Sequence, residues 1–229
     1  MHINIFMLTK LKYTVPLELL EEANSNLPVD NFKVSINEPT GDFFYDPWIV
    51  KPEFKNTVWG RIMQTLPIEV GEARIINLTY GTCYQSHGDI DDRYHLNINS
   101  HYAYLVNLEA EKMYPLSTDG VWYEMDAGPR HSAVNFGYTK RTQLVVRKLL
   151  DKNSLTDPVH IKIFYAGSKP ESARFVFDDV LSPWLNRANK KKVITSFEHN
   201  QTHAKLKIEK TSLTELQSLL PVGFQIEEL

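Results

Sequence analysis

Cysteine is almost missing: Cys83 is the one example in 229 residues, so no internal disulfide can form and a disulfide-stapled secreted scaffold is excluded. No Cys/His spacing of the zinc-binding kind occurs either. No run approaches the roughly 20 apolar residues that a membrane-spanning helix needs. Charge of one sign is also lacking. A formal net charge of -3 and a pI near 6.2 exert no global pull on nucleic acid or anionic membrane, so any partner is recognised locally. The opening Met1-His2-Ile3-Asn4-Ile5-Phe6-Met7-Leu8 has neither the basic region nor the long apolar region of a signal peptide, and Lys10 and Lys12 follow at once. A reducing, cytoplasmic setting is therefore the expectation. Internal repeats are not visible. What is present is an ordinary globular composition, 42% hydrophobic and 23% charged, long enough for one large domain or a medium one with a small companion.

The first 70 residues read as helix mixed with loop. Pro16 introduces Leu17-Glu18-Leu19-Leu20-Glu21-Glu22-Ala23, where acids in the first turns and apolar spacings of three and four predict a short helix. Pro39, Gly41 and Pro47 mark an irregular, aromatic-rich segment with one strand over residues 32–36. Val58, Ile62 and Leu66, stopped by Pro67, predict a helix over 55–66. From Ala73 the texture turns to short β-rich runs at 73–80, 94–99, 103–108, 121–124, 132–136 and 142–149, with Asp119-Gly120 as one turn signal. Six strands at this spacing predict a barrel or sandwich. Asp151 to Pro158 is polar and Pro-terminated and reads as a linker. Beyond it come strand (159–165), helix (170–181, running on past Pro183), strand (193–198), strand (204–209), helix (212–220) and strand (224–227). That is the β-α-β-β-α-β order of the ferredoxin-like split unit, and Ser212-Leu213-Thr214-Glu215 fits a capping box at its second helix. The expected layout is an α+β chain with one domain over 1–152 and a second over 157–229.

The run that carries most chemistry is His87-Gly88-Asp89. On a strand or its end, residues two apart point the same way with Cα atoms about 6 to 7 Å apart, so an imidazole and a carboxylate can grip one ion. Alone the pattern is weak. Eight His and 12 Asp yield it about 0.4 times by chance, and a solvated turn explains it as well. A second imidazole, His131 on a later predicted strand, strengthens it, and Arg141 follows ten residues on. Two imidazoles and a carboxylate on one face leave three positions open on an octahedral metal, the facial triad of non-haem Fe(II) oxygenases. A 2-oxo acid chelates two of those positions and O₂ takes the third. An arginine farther along a hairpin receives the distal carboxylate by a bidentate pair. Ten residues across a turn bring Cα atoms within about 10 to 15 Å, the span of a five-carbon diacid plus an arginine side chain.

Over about residues 73–150 the chain resembles the aspartyl/asparaginyl β-hydroxylases and the related free-proline hydroxylases of the Fe(II)/2-oxoglutarate oxygenase superfamily. The residues that carry the resemblance are His87-Gly88-Asp89, Arg93-Tyr94-His95-Leu96, a glycine-bounded strand between Gly120 and Gly128, His131-Ser132-Ala133-Val134-Asn135, and Arg141 opening the strand Thr142-Gln143-Leu144-Val145-Val146. The resemblance implies a double-stranded β-helix (jelly-roll, cupin-like) oxygenase domain. It implies that His87, Asp89 and His131 are the catalytic metal ligands, holding Fe(II), and that Arg141 pairs with the distal carboxylate of the cosubstrate 2-oxoglutarate. It further implies that His95 approaches the metal-bound end of the cosubstrate and that Arg93 faces the substrate. Some aspartyl β-hydroxylases have glycine in place of the carboxylate ligand; Asp89 aligns this chain with the proline hydroxylases and fills the position where a halogenating relative would place chloride. The tryptophan often found before the family's asparagine is Val134 here.

The implied activity is hydroxylation of an amino-acid unit, either an Asp/Asn/Pro-type residue in a protein or a free amino acid, coupled to decarboxylation of 2-oxoglutarate to succinate. The alternative is a non-catalytic jelly roll that binds a ligand or docks a partner. Asn97, Asn99 and Asn135 are candidate supports for the metal ligands, and equally edge-strand hydrogen bonders. Without the resemblance, His95 reads as a buried imidazole bonded to backbone and Arg93 as a surface ion pair with Asp91 or Asp92. Cys83 reads as a small core hydrophobe, Lys190-Lys191-Lys192 as a solvated helix end, and Tyr80, Tyr84, Tyr102 and Tyr104 as strand aromatics of the core. His101, His160, His199 and His203 lack a matched carboxylate. The second domain lacks the aromatic pattern of an RNA-recognition sheet, so protein recruitment or dimerisation is its expected role rather than nucleic-acid binding.

Overall fold

The computed structural model describes residues 7–28, 32–166, 181–199 and 203–229. Strand β1 (Leu8–Thr14) leads into helix α1 (Leu17–Ser25), which buries Leu20 and Ala23. The expected strand near residue 34 is β2 (Lys33–Ser35), and a small hairpin, β3 (Asn37–Pro39) with β4 (Trp48–Val50), follows. The single helix expected over 55–66 is two, α2 (Pro52–Lys55) and α3 (Val58–Gln64), because Thr57 is extended between them. Gly60 makes the fold-back close: a methyl there would lie 2.5 Å from the carbonyl oxygens of Phe54 and Lys55.

The β-rich middle supplies β5 (Ala73–Leu78), β6 (Thr82–Cys83), β7 (Arg93–Asn99), β8 (Ala103–Asn107), β9 (Lys112–Pro115), β10 (Val121–Met125), β11 (His131–Asn135) and β12 (Arg141–Arg147). They form a six-stranded sheet, ordered β1-β10-β7-β12-β5-β2, and a four-stranded one, ordered β6-β11-β8-β9. All their pairings are antiparallel. From β5 to β12 the chain passes back and forth between the two sheets, an arrangement compatible with a jelly roll. β11 and β12 therefore belong to different sheets. The sequence reading made them a hairpin; the correction is that the chain crosses between layers there instead of pairing with itself.

Alternation assigns the two faces of the six-stranded sheet. Tyr94, Leu96, Ile98, Trp122, Leu144 and Val146 join Leu20, Trp59 and Ile62 of the helices in one core. On the opposite face Leu78 and Met125 meet Ala103, Leu105 and Ala133 of the four-stranded sheet in a second, smaller core.

The chain divides into two compact units, one of residues 1–85, 92–127 and 131–149, the other of 86–91, 128–130 and 150–229. In the second, β13 (Pro158–Tyr165), α4 (Ser182–Lys190), β14 (Ile194–His199), β15 (His203–Glu209), α5 (Leu213–Ser218) and β16 (Phe224–Glu228) build an antiparallel sheet ordered β14-β15-β13-β16. Ile161, Ile163, Ile194, Leu206 and Ile208 are among its buried residues. Most of the helix expected over 170–181 lies outside the described residues. The capping box is overturned: a 3-10 turn over Lys210–Ser212 runs straight into α5, Ser212 is itself helical and makes no side-chain cap, and Glu215 pairs with Lys191. The linker is not slack either. Asn153 Nδ2 donates to the Ile194 carbonyl at 2.8 Å, and the Thr156 and Asp157 amides donate to the Glu209 carboxylate. Among the described residues no helix is long and apolar enough to cross a membrane.

Candidate metal centre and anion pocket

The inner face of the six-stranded sheet is polar where a purely structural sheet would be apolar. Arg93, His95 and Asn97 project from β7, and Arg141 and Gln143 from β12; all five are buried. Register sets Gln143 beside Asn97 and Val145 beside His95. From the four-stranded sheet His131, Ala133 and Asn135 alternate inward, with His131 opposite Asn107.

His87, Asp89 and His131 converge. Their ligand atoms all lie within 4.8 Å of one another, with His87 Nε2 and Asp89 Oδ2 4.0 Å apart. Asp89 lies in the loop between β6 and β7, His87 in an isolated bridge of that loop, and His131 opens β11. Two neutral imidazole nitrogens and one carboxylate oxygen suit a divalent transition metal and leave coordination positions open. The donor set fits Fe(II).

Arg141 is 2% exposed. Its Nη2 donates to Gln143 Oε1, while Nε and Nη1 have no hydrogen-bond partner among the described residues. Burial pushes the guanidinium down to about 10, with the Tyr84 phenol pulling the other way. An unpaired buried cation costs several kcal/mol, and a carboxylate across its free edge removes that cost. The pocket therefore fits an anionic ligand. Gln143 is in turn held through Nε2 by Asn97 Oδ1, and Asn97 Nδ2 donates to the Ser117 carbonyl at 2.9 Å. This chain fixes the guanidinium plane. The sequence reading took Asn97 as a candidate support for metal ligands; it supports Arg141. Gln143 was missed, although its place two residues after Arg141 puts it on the same strand face.

Tyr84 also lies here. Its hydroxyl is buried with no hydrogen-bond partner among the described residues, its amide donates to the Ala133 carbonyl at 2.9 Å, and its carbonyl accepts from Ser132 Oγ. Burial raises its pKa, opposed by the charges of Arg141 and Arg74. Asn135 is structural: Nδ2 donates to the Leu78 and Thr139 carbonyls and Oδ1 accepts from the Gly137 amide, which shapes the β11–β12 turn. Arg93 is buried and not at the surface. Cys83 is exposed instead of filling a core. Tyr80 and Tyr102 stand in turns and are also exposed.

No family model and no curated protein matches the chain. Solved structures that match include a Pseudomonas putida prolyl-4-hydroxylase, 12% identical with a TM-score of 0.35, over 62% of this chain and 91% of that one. Another is CapF with the inhibitor 3-isopropenyl-tropolone, 14% identical with a TM-score of 0.31, over 56% of this chain and 35% of that one. At such scores neither match assigns a family or an activity.

Proposed function

We propose that the chain is an Fe(II)- and 2-oxoglutarate-dependent oxygenase that hydroxylates an amino-acid unit, its first unit a double-stranded β-helix and its second a ferredoxin-like βαββαβ fold. The observation that carries the reading is the pairing of two features: a convergent His-Asp-His donor set, and a buried arginine with N–H groups unbonded among the described residues on the inner face of the six-stranded sheet. Neither serves packing, and the first cosubstrate class that uses both is a 2-oxo dicarboxylate. In this reading His87, Asp89 and His131 hold the metal. Arg141 binds the distal carboxylate, and Gln143 holds the guanidinium plane against rotation. Leu78, Leu105, Ala133 and Met125 exclude water from the barrel interior, which strengthens every charge interaction made there. Arg93 and His95 supply polar groups on the inner wall to orient the substrate and the metal-bound end of the cosubstrate. When bound, iron and 2-oxoglutarate supply the oxidising chemistry, with succinate and CO₂ as coproducts.

Anaerobic addition of Fe(II) and 2-oxoglutarate should develop a metal-to-ligand charge-transfer band in the wild type and none in Asp89→Ala. Under air, succinate should form, and a +16 Da product should arise from free amino acids or from cell proteins. No band in the wild type overturns the proposal. A band without succinate from any amino-acid or protein pool leaves a ligand-binding barrel.

A further inference from the structure

Helix α4 is buried on nearly every side. Ser182, Pro183, Trp184, Leu185, Asn186, Ala188 and Asn189 are buried, and Arg187 and Lys190 face solvent. A helix lying on a sheet needs only one apolar stripe, roughly 100° wide, so burial this complete requires a second layer. Within the second unit that layer includes residues 86–91 and 128–130, the segments that enclose His87 and Asp89 and run up to His131. Two glycines record how close the layers come. A methyl on Gly88 would lie 2.7 Å from the Gly128 carbonyl oxygen and closer still to Pro183 Cγ. A methyl on Gly128 would lie 2.5 Å from Asn186 Oδ1. Neither residue has positive φ, so close approach, and not backbone conformation, demands glycine at both. Arg130 Nη2 donates to Ser86 Oγ at 3.0 Å and ties the two segments together.

Gly88 is the residue between the two ligands. Metal ligands must stand within about 0.2 Å of their ideal distances, so a surface that stops Gly88 also fixes the spread of His87 and Asp89. We propose that α4 is the backstop of the ligand loop, with Pro183 and Asn186 as positioning residues for the metal centre. This rests on the metal reading given above. It assigns the second unit a task inside the site itself, rather than recruitment.

The test is titration of the full chain with Co(II), read by its visible absorption, alongside thermal unfolding of the metal-free protein. Gly128→Ala should weaken Co(II) binding about tenfold or more and alter the absorption envelope, with the unfolding midpoint moving by only a few degrees. Adding Asn186→Ala should restore binding to within about threefold of the wild type, because the obstructing carboxamide is gone. Arg187→Ala, on the exposed side of the same helix, should change neither. If Gly128→Ala does not fold, Pro183→Ala removes the stop without adding atoms and should loosen binding with the same spectral change. Unchanged affinity and spectrum in the folded variants would overturn the backstop. Failure of the wild type to bind Co(II) would overturn the metal reading instead.

Discussion

The two faces of the six-stranded sheet are made by the same strands and have opposite chemistry. On β7 the order Arg93-Tyr94-His95-Leu96-Asn97-Ile98 places every second residue in the helix-covered core and leaves arginine, histidine and asparagine to the interior. β12 repeats this, with Leu144 and Val146 on one side and Arg141 and Gln143 on the other. Both faces are buried, so solvent exposure does not explain the polar one. Burying those groups opposes folding unless they are partnered, and the asymmetry teaches that the same strands build an apolar core on one side and a buried polar wall, costly to packing, on the other.

Removing a proposed metal ligand should have the largest effect. Asp89→Ala is expected to weaken Fe(II) binding at least about 100-fold, read by the anaerobic charge-transfer band, with little change in unfolding temperature. Breaking the apolar side should do the reverse: Leu144→Ala is expected to cost about 2–5 kcal/mol in denaturant unfolding while the folded fraction still binds metal. Arg141→Met sharpens the contrast. It should stabilise the empty protein by about 1–4 kcal/mol, because a buried unpaired cation is replaced by a packed apolar chain, and it should abolish saturable 2-oxoglutarate binding in calorimetry.

The smallest effect concerns two groups whose pKa values are both lowered, with opposite meaning. Burial alone lowers Arg141, so its charged form is the strained one. For Glu72 burial works upward, but the Ser35 hydroxyl and the charges of Arg74 and Lys33 outweigh it and hold the carboxylate below its ordinary 4.5. A depressed carboxylate stabilises the fold above its unfolded pKa and loses that contribution as pH falls through the folded value. Stability of the wild type should therefore decline as pH drops below about 4.5, and Glu72→Gln should flatten the decline, as urea midpoints across that range would show.

Periodicity made much of the fold legible. The runs at 73–80, 94–99, 103–108, 121–124, 132–136 and 142–149 read as strands, and each overlaps a strand of the structure with ends shifted by no more than two residues; the strand-helix order after residue 158 was readable wherever the structure describes it. What stayed hidden is non-local. β1 has exposed lysines at Lys10 and Lys12 and is a strand because β10 pairs with it. β6 and β9 are too short to announce themselves. Register across sheets decides that β11 and β12 do not pair, and no local pattern encodes that. The convergence of His87, Asp89 and His131 was legible because H-x-D with a distant histidine is a chemical signature. Gln143 reads as an ordinary strand polar and Asn97 as a support for metal ligands; only the hydrogen-bond chain from Arg141 through Gln143 to Asn97 shows what they hold. Gly88 and Gly128 carried a signal that only the packing of α4 explains.

β7 and β12 lie at the centre of their sheet, each flanked by strands on both edges. Backbone amides on central strands are exposed by larger openings than those on sheet edges. In the reading proposed above, Arg141 and the residues that brace it sit on these two central strands, so a dicarboxylate would meet a receptor already set and lose little affinity to ordering it.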